Sequence, residues 1–187
     1  MADMTRKGFG QVEPNHLSAQ YTGQIYAQLP AATVSGTTKT PIEQLENGQF
    51  LRYDYGKGVA TNGVGDGEWM LVFNEVKLYD ERHQNYKDFC MKASDMTDGM
   101  IYPRLLKTNI GDIFTTNTFR SSSNATNTTL DGVITMPELE QEDYIKINND
   151  GWLEQVAEKP ASGIVFKVVK VYNLADKQDA VKLQRIQ

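Results

Sequence analysis

The chain closes on Gly163-Ile-Val-Phe-Lys-Val-Val-Lys-Val-Tyr172, a polar turn, and then Ala180-Val-Lys-Leu-Gln-Arg-Ile186. Apolar residues alternate onto both faces of the first stretch, a pattern typical of a strand that is buried on both sides. Strict alternation places Ile164, Phe166, Val168 and Tyr172 on one face and Val165, Val169 and Val171 on the other. The polar residues of Asn173–Asp179 favour a hairpin turn. The pattern therefore predicts that the chain ends in two paired core strands.

Other segments carry the same β character. Glu46-Asn-Gly48 is a tight-turn signature before the aromatic stretch Gln49–Tyr55, and the glycine-rich Gly56–Gly67 is predicted as a loop. The unbroken apolar run Trp69–Phe73 predicts a buried central strand, and Asn149-Asp-Gly151 predicts another hairpin. We therefore expect a mainly β protein, an antiparallel sandwich or barrel, whose β domain covers residues 42–187 with an irregular insertion around 80–140.

The first 41 residues differ in composition and are predicted to form an extended N-terminal arm and linker, with Thr33–Pro41 as the linker. Charge almost vanishes from Pro14 to Gly36. An uncharged segment with tyrosines is expected to lie on a surface, either that of its own domain or that of a neighbouring subunit. The residues chosen as interface candidates are the recurring apolar ones, Leu17, Tyr21, Ile25 and Tyr26.

Bulk composition narrows the class of protein. The 187 residues are 40% hydrophobic, which suits one domain, with or without a small insertion, and no stretch approaches the roughly 18 apolar residues of a spanning helix. The N-terminus lacks the apolar stretch of a secretory signal, so we expect a chain made and used from the cytoplasm. A net charge of -5, with scattered basic residues, argues against nucleic acid as a partner.

Residues that could perform catalysis or hold a metal lack the partner residues, at a suitable spacing, that such sites require. His16 and His83 have no ligand partner at a helical or hairpin spacing, and the single cysteine, Cys90, is predicted to be a small buried hydrophobe. Gly63-Val-Gly-Asp-Gly67 precedes a strand instead of a helix, which favours a hairpin loop over a phosphate loop. The sequence therefore predicts no catalytic, cofactor-binding or metal-binding residues and no enzymatic activity.

Two stretches resemble structural proteins of tailed bacteriophages. Leu45–Asp54 followed by Gly67–Tyr79 is similar to the opening of small head proteins encoded near the major capsid gene, in which Glu-Asn-Gly, a strand, a glycine-rich loop and a strand follow one another. Phe166–Ile186 is similar to the ending of such proteins, with Lys177 where their last turn usually has glycine. The two stretches cover roughly a quarter of the chain.

This resemblance implies a capsid auxiliary protein, of the decoration or cement kind, that binds an expanded shell and stabilises it. The implied partners are the major capsid protein and copies of the chain itself, within a symmetric assembly, without nucleic acid or membrane. The implied location is the virion, assembled in the host cytoplasm.

Three alternatives remain open at the level of sequence. A role in the phage tail or connector fits the same resemblance. A carbohydrate-binding or small-ligand β module would use Trp69, Trp152, Tyr53 and Tyr55 as a stacking face. A hydrolase would use carboxylate clusters, formed by Asp80 and Glu81 and by Glu138, Glu140, Glu142 and Asp143.

Overall fold

Strands dominate the regular structure. The computed structural model describes residues 4–19, 25–63, 65, 67–74, 90–119, 133–135 and 138–187. Strands β1 to β9 span Thr5–Lys7, Val12–His16, Ile25–Tyr26, Ala32–Ser35, Thr38–Pro41, Gln44–Leu45, Phe50–Asp54, Val59–Thr61 and Trp69–Val72. Strands β10 to β17 span Met91–Lys92, Leu105–Leu106, Ile113–Thr116, Val133–Thr135, Tyr144–Ile147, Leu153–Val156, Val165–Asn173 and Asp179–Arg185. A short 3₁₀ turn covers Ala93–Asp95.

Two larger sheets build the domain. One has six strands in the order β15-β14-β16-β17-β12-β2, and the other has five in the order β3-β11-β9-β7-β8. Their strand pairings are antiparallel. The prediction of a mainly β, antiparallel fold is confirmed, and the last two strands, β16 and β17, pair in the expected hairpin.

The first core lies between these two sheets. Phe50 from the five-stranded sheet contacts Phe114 and Phe166 from the six-stranded sheet, with ring centroids 6.4 and 5.7 Å away, and those two rings are 5.4 Å apart. All three side chains are fully buried. Each such ring removes a large apolar area from water and adds ring–ring contact energy. These three rings therefore join the two layers.

The five-stranded sheet is buried on both faces. Along β9, Trp69 and Leu71 face the first core, whereas Met70 and Val72 face a second core on the opposite side of the sheet. That second core is closed by residues outside the large sheets, among them Ala31, Leu45, Met91, Ala93 and Ile101. The predicted buried central strand is confirmed, because β9 lies between β11 and β7 with all four of its residues buried.

The extended N-terminal arm is not confirmed. Strand β2 forms one edge of the six-stranded sheet by pairing with β12, and β1 pairs with β13. Met4, Leu17 and Ala19 belong to the first core. The N-terminal segment, which carries little charge, thus packs on its own domain. The sequence had left open whether it packs there or on a neighbouring subunit.

A buried ion pair also holds the N-terminal segment to the domain. Nη1 of Arg6 donates to Oε2 of Glu46 over 2.9 Å, and the backbone N–H of Gly10 donates to the same oxygen over 2.7 Å. The two side chains are 0% and 5% exposed. Since either charge alone in this environment would be costly, the segment and the turn before β7 must dock together.

Some segments have more strand structure than predicted. Thr33–Pro41, predicted as a linker, contributes to the hairpin of β4 and β5, and the predicted loop Gly56–Gly67 contains the buried strand β8. Within the predicted insertion, residues 90–119 supply β12, an inner strand of the six-stranded sheet. Residues 80–89, 120–132 and 136–137 of that insertion lie outside the described residues.

The side chains of β16 do not alternate strictly between the two faces of the sheet. The register between β16 and β17 shifts between Val168 and Lys170, so Val171 lies opposite the core residue Val181 and Tyr172 lies opposite Ala180. A bulge of this kind inserts one residue and reverses which face the following side chains take. The prediction that Tyr172 shares a face with Phe166 is therefore wrong, and the end of the strand, at Lys170 and Val171, is exposed.

Replacing Gly48 by alanine should strongly destabilise the protein. Gly48 has φ +93, and a Cβ there would lie 2.4 Å from Oγ1 of Thr118. We expect a loss of about 2–5 kcal/mol in the free energy of unfolding, from left-handed backbone strain and overpacking together. Gly36→Ala is the control, since Gly36 has φ +60 but nothing within 4 Å of a new Cβ, and it should lose only about 1 kcal/mol. Equal losses in urea denaturation would contradict the packing argument.

Removing both charges of the Arg6–Glu46 pair should cost less stability than the summed losses from removing each charge alone. Arg6→Met leaves the Glu46 carboxylate buried without its cation, for an expected loss of about 3–5 kcal/mol. The double variant Arg6→Met/Glu46→Gln keeps an oxygen to accept from Gly10 and should be less destabilised than the sum of the single variants. Urea denaturation of the four proteins measures this coupling, and additive losses would contradict it.

Candidate interface

Three of the four predicted interface residues lie in the described part of the chain. Leu17 is 1% exposed and lies in the first core, so it has no free surface to offer. Ile25 and Tyr26 form β3 and are half-buried, packing against the first and second cores respectively. Tyr21 lies outside the described residues. Ile25 and Tyr26 therefore remain as candidates, and both belong to β3.

Strand β3 is an edge of the five-stranded sheet. Ile25 pairs with Leu106 and Tyr26 with Leu105, and no strand of the described residues pairs with the other side of β3. Backbone groups on an unpaired edge can accept a strand from another chain. The edge is two residues long, so side chains next to it must supply most of the contact area.

Three tyrosines, Tyr26, Tyr53 and Tyr55, form a continuous aromatic group that we name the tyrosine row. The Tyr26 and Tyr53 rings meet edge to face at 5.2 Å, and the Tyr53 and Tyr55 rings stack at 5.4 Å. The backbone N–H of Gln28 donates to the Tyr53 hydroxyl over 3.0 Å. Tyr53 is buried, whereas Tyr55 is 72% exposed. The row thus presents a rigid aromatic surface that needs little ordering when a partner binds.

The turn that follows Tyr55 is polar. Nζ of Lys57 lies 3.2 Å from Oδ2 of Asp54, and Nζ of Lys39 donates to the carbonyl oxygen of Gly58 over 3.3 Å. The hydrogen bond from the backbone N–H of Lys57 lowers the pKa of Asp54, so this carboxylate is charged at neutral pH. An aromatic centre beside paired charges has the composition of a protein interface, with an apolar middle and a polar rim.

Most of the aromatic side chains that a carbohydrate-stacking face would use are buried. Trp69 and Trp152 are 9% and 5% exposed, and Tyr53 is also buried. The Arg52 guanidinium lies 3.9 Å from the centroid of the Trp69 ring and occupies one of its faces. Of the four aromatic residues proposed for that face, Tyr55 alone is exposed.

The acidic side chains of the cluster at 138–143 form local hydrogen bonds and an ion pair. Oδ2 of Asp143 accepts from the backbone N–H of Glu140 and from Nε2 of Gln155, each over 2.8 Å, and Glu142 pairs with Lys167. Asp80 and Glu81 lie outside the described residues, as does His83, while His16 is exposed on β2. In the described ranges, no three His, Cys, Asp or Glu side chains are grouped so that they could hold a metal ion.

Sequence reasoning missed how the tyrosine row is assembled. The spacing of Tyr53 and Tyr55 does indicate a shared face in a strand. Nothing local indicates that Tyr26 joins them, because this contact spans more than twenty-five residues and requires the chain after β3 to cross the second core. The signal that the sequence does carry is limited to the aromatic content of the two segments.

The fold defines this chain as an antiparallel β sandwich. Comparison with known proteins does not define the class of protein further. No family model, curated protein or solved structure gives a significant match to this chain. Among the described residues, no helix is both long enough and apolar enough to span a bilayer.

The Cys90 thiol should react slowly with alkylating agents. Burial, aided by the charges of Glu46 and Asp95, raises the pKa of Cys90 to about 11. Because only the thiolate attacks, alkylation by iodoacetamide at pH 8 should be roughly a hundred times slower than in the urea-unfolded chain. The rate should keep rising to about pH 11. A plateau near the pH at which an ordinary thiol titrates would contradict this prediction.

Proposed function

We propose that this chain is a non-enzymatic structural protein of a phage virion that binds the capsid shell and stabilises it. The observation that carries the proposal is the tyrosine row, which begins at Tyr26 on the edge strand β3 and ends in the 72% exposed Tyr55 in the turn after β7. The resemblance of the two sequence stretches to small phage head proteins supplies the assignment to a virion.

The tyrosine row suits a contact that must be rigid and repeated. Tyr26 and Tyr55 both contact the buried Tyr53, so neither ring has to be ordered from a fully free state on binding. Aromatic anchors of this kind contribute much of the binding free energy of protein interfaces. On a symmetric shell, many modest contacts add up to strong retention.

The proposed partners are the major capsid protein and neighbouring copies of the chain. A formal net charge of -5 disfavours the packaged nucleic acid and suits the outside of the shell. The proposed location is the virion, after assembly in the host cytoplasm.

Point variants test this role better than removal of residues 1–40. That deletion would remove the core residues Met4 and Leu17 together with strand β2. Loss of shell binding after such a deletion would follow from unfolding as readily as from loss of a contact.

Tyr55→Ala should weaken shell binding without loss of stability, because the side chain is mostly exposed. The measurement is co-sedimentation with purified shells of the proposed partner, the major capsid protein. We expect saturating, stoichiometric binding of the unmodified protein and about tenfold weaker binding of the variant. Tyr102→Ala is the matched control, since Tyr102 is also exposed but hydrogen-bonds to Asp98 outside the row.

Two results would contradict the proposal. Failure of the unmodified protein to sediment with shells would exclude the shell-binding role. Equal binding by the Tyr55 and Tyr102 variants would retain the role but exclude the tyrosine row as its surface.

A further inference from the structure

The outer face of the six-stranded sheet carries two lysines directly opposite each other. Lys170 on β16 pairs in register with Lys182 on β17. Lys182 lies between the core residues Val181 and Leu183, so both lysines project from the face that is turned away from the core. We name these two residues the lysine pair. Cβ atoms of such cross-strand neighbours are about 4.5–5.5 Å apart, and like charges at that position destabilise a sheet.

Neighbouring lysines on the same face have acidic partners. Lys146 lies 3.8 Å from Glu154, and Lys167 pairs with Glu142. Neither member of the lysine pair forms an ion pair with an acidic residue of the described part of the chain. Two positive charges are thus held together without a carboxylate between them.

A fixed tyrosine lies beneath the lysine pair. Nζ of Lys170 is 5.9 Å and Nζ of Lys182 is 5.5 Å from the centroid of the Tyr172 ring. The Tyr172 hydroxyl donates to Oε2 of Glu13 over 3.1 Å and lies 2.5 Å from Oγ1 of the buried Thr115. The ring orients both ammonium groups, but cation–π attraction at an exposed site offsets only part of their repulsion.

The β-bulge creates this arrangement. Without the register shift between Val168 and Lys170, Tyr172 would lie on the core face together with Phe166. The inserted residue instead places Tyr172 and Lys170 on the outer face beside Lys182. Bulges commonly redirect side chains at functional sites.

We propose that the lysine pair and Tyr172 bind an acidic segment of a partner protein, with one Asp or Glu carboxylate accepting hydrogen bonds from both ammonium groups. The carboxylate would supply the negative charge that the lysine pair lacks, while the Tyr172 ring would contact the stem of the acidic side chain. Because the lysine pair is on the six-stranded sheet and the tyrosine row on the other sheet, this binding does not require the shell-binding role.

The surrounding negative charges disfavour nucleic acid more strongly than a single carboxylate. Glu13 lies 3.1 Å from the Tyr172 hydroxyl, and the whole chain carries a formal charge of -5. A phosphate backbone presents regularly spaced charges and needs several clustered cations to neutralise them. A short acidic segment needs only one carboxylate at the lysine pair and can place its other charges away from Glu13.

Titration of the ¹⁵N-labelled full chain with a hexaglutamate peptide tests the proposal. We expect shift changes centred on Lys170, Tyr172 and Lys182, with affinity lowered about fivefold by Lys170→Gln or Lys182→Gln. Lys146→Gln is the matched control, because it removes an equal charge from the same face at a residue already paired with Glu154, and its affinity should stay unchanged.

Other outcomes would overturn the proposal. Absence of shifts at the lysine pair, or equal weakening by the Lys146 variant, would mean that the peptide senses only general charge. Tighter binding of inorganic phosphate or of a single-stranded oligonucleotide than of the peptide would exclude a carboxylate ligand.

A measurement without any ligand tests the repulsion on which the site depends. Lys182→Glu replaces a like-charge pair with an opposite-charge pair and should raise the urea midpoint of unfolding. Lys146→Glu places a second negative charge beside Glu154 and should lower it. A lower midpoint for Lys182→Glu would show that the two lysines do not repel and would remove the physical basis of the site.

Discussion

The buried ion pair between Arg6 and Glu46 is the constraint on which the rest of the structure depends. It joins the first strand of the chain to the turn that leads into β7, and Glu46 also accepts from the backbone of Gly10. A guanidinium and a carboxylate can be buried this fully only if each finds the other. The N-terminal segment therefore docks on its own domain, and this docking does not require a partner.

The docking of the N-terminal segment changes which surfaces are available for binding. Once Leu17 is buried and β2 is paired with β12, the N-terminus no longer supplies a free arm in its described residues. It contributes instead through β3, where Tyr26 reaches the second core and meets Tyr53. The N-terminal segment, which the sequence predicts to be an extended arm, thus packs against Tyr53 through Tyr26 and helps to fix the position of Tyr55.

The two candidate surfaces lie on different sheets and differ in chemistry. The tyrosine row is aromatic and lies on the doubly buried five-stranded sheet, while the lysine pair is cationic and lies on the outer face of the six-stranded sheet. The Phe50, Phe114 and Phe166 contacts join the sheets, so the two surfaces are held in one frame. A protein with two such surfaces is suited to bridge neighbouring molecules, which agrees with the proposed structural role.

Local pattern alone determined the β class, the closing hairpin, the buried strand at Trp69–Val72 and the turns at Gly48 and Gly151, because alternation and turn chemistry depend on neighbouring residues. Tertiary structure decided the rest. The N-terminal segment docks through a pair forty residues apart, Tyr26 reaches Tyr53 across the second core, and an inserted residue turns Tyr172 outward. Each of these depends on burial energy or register shared between distant strands, and neither quantity is contained in any short stretch of sequence.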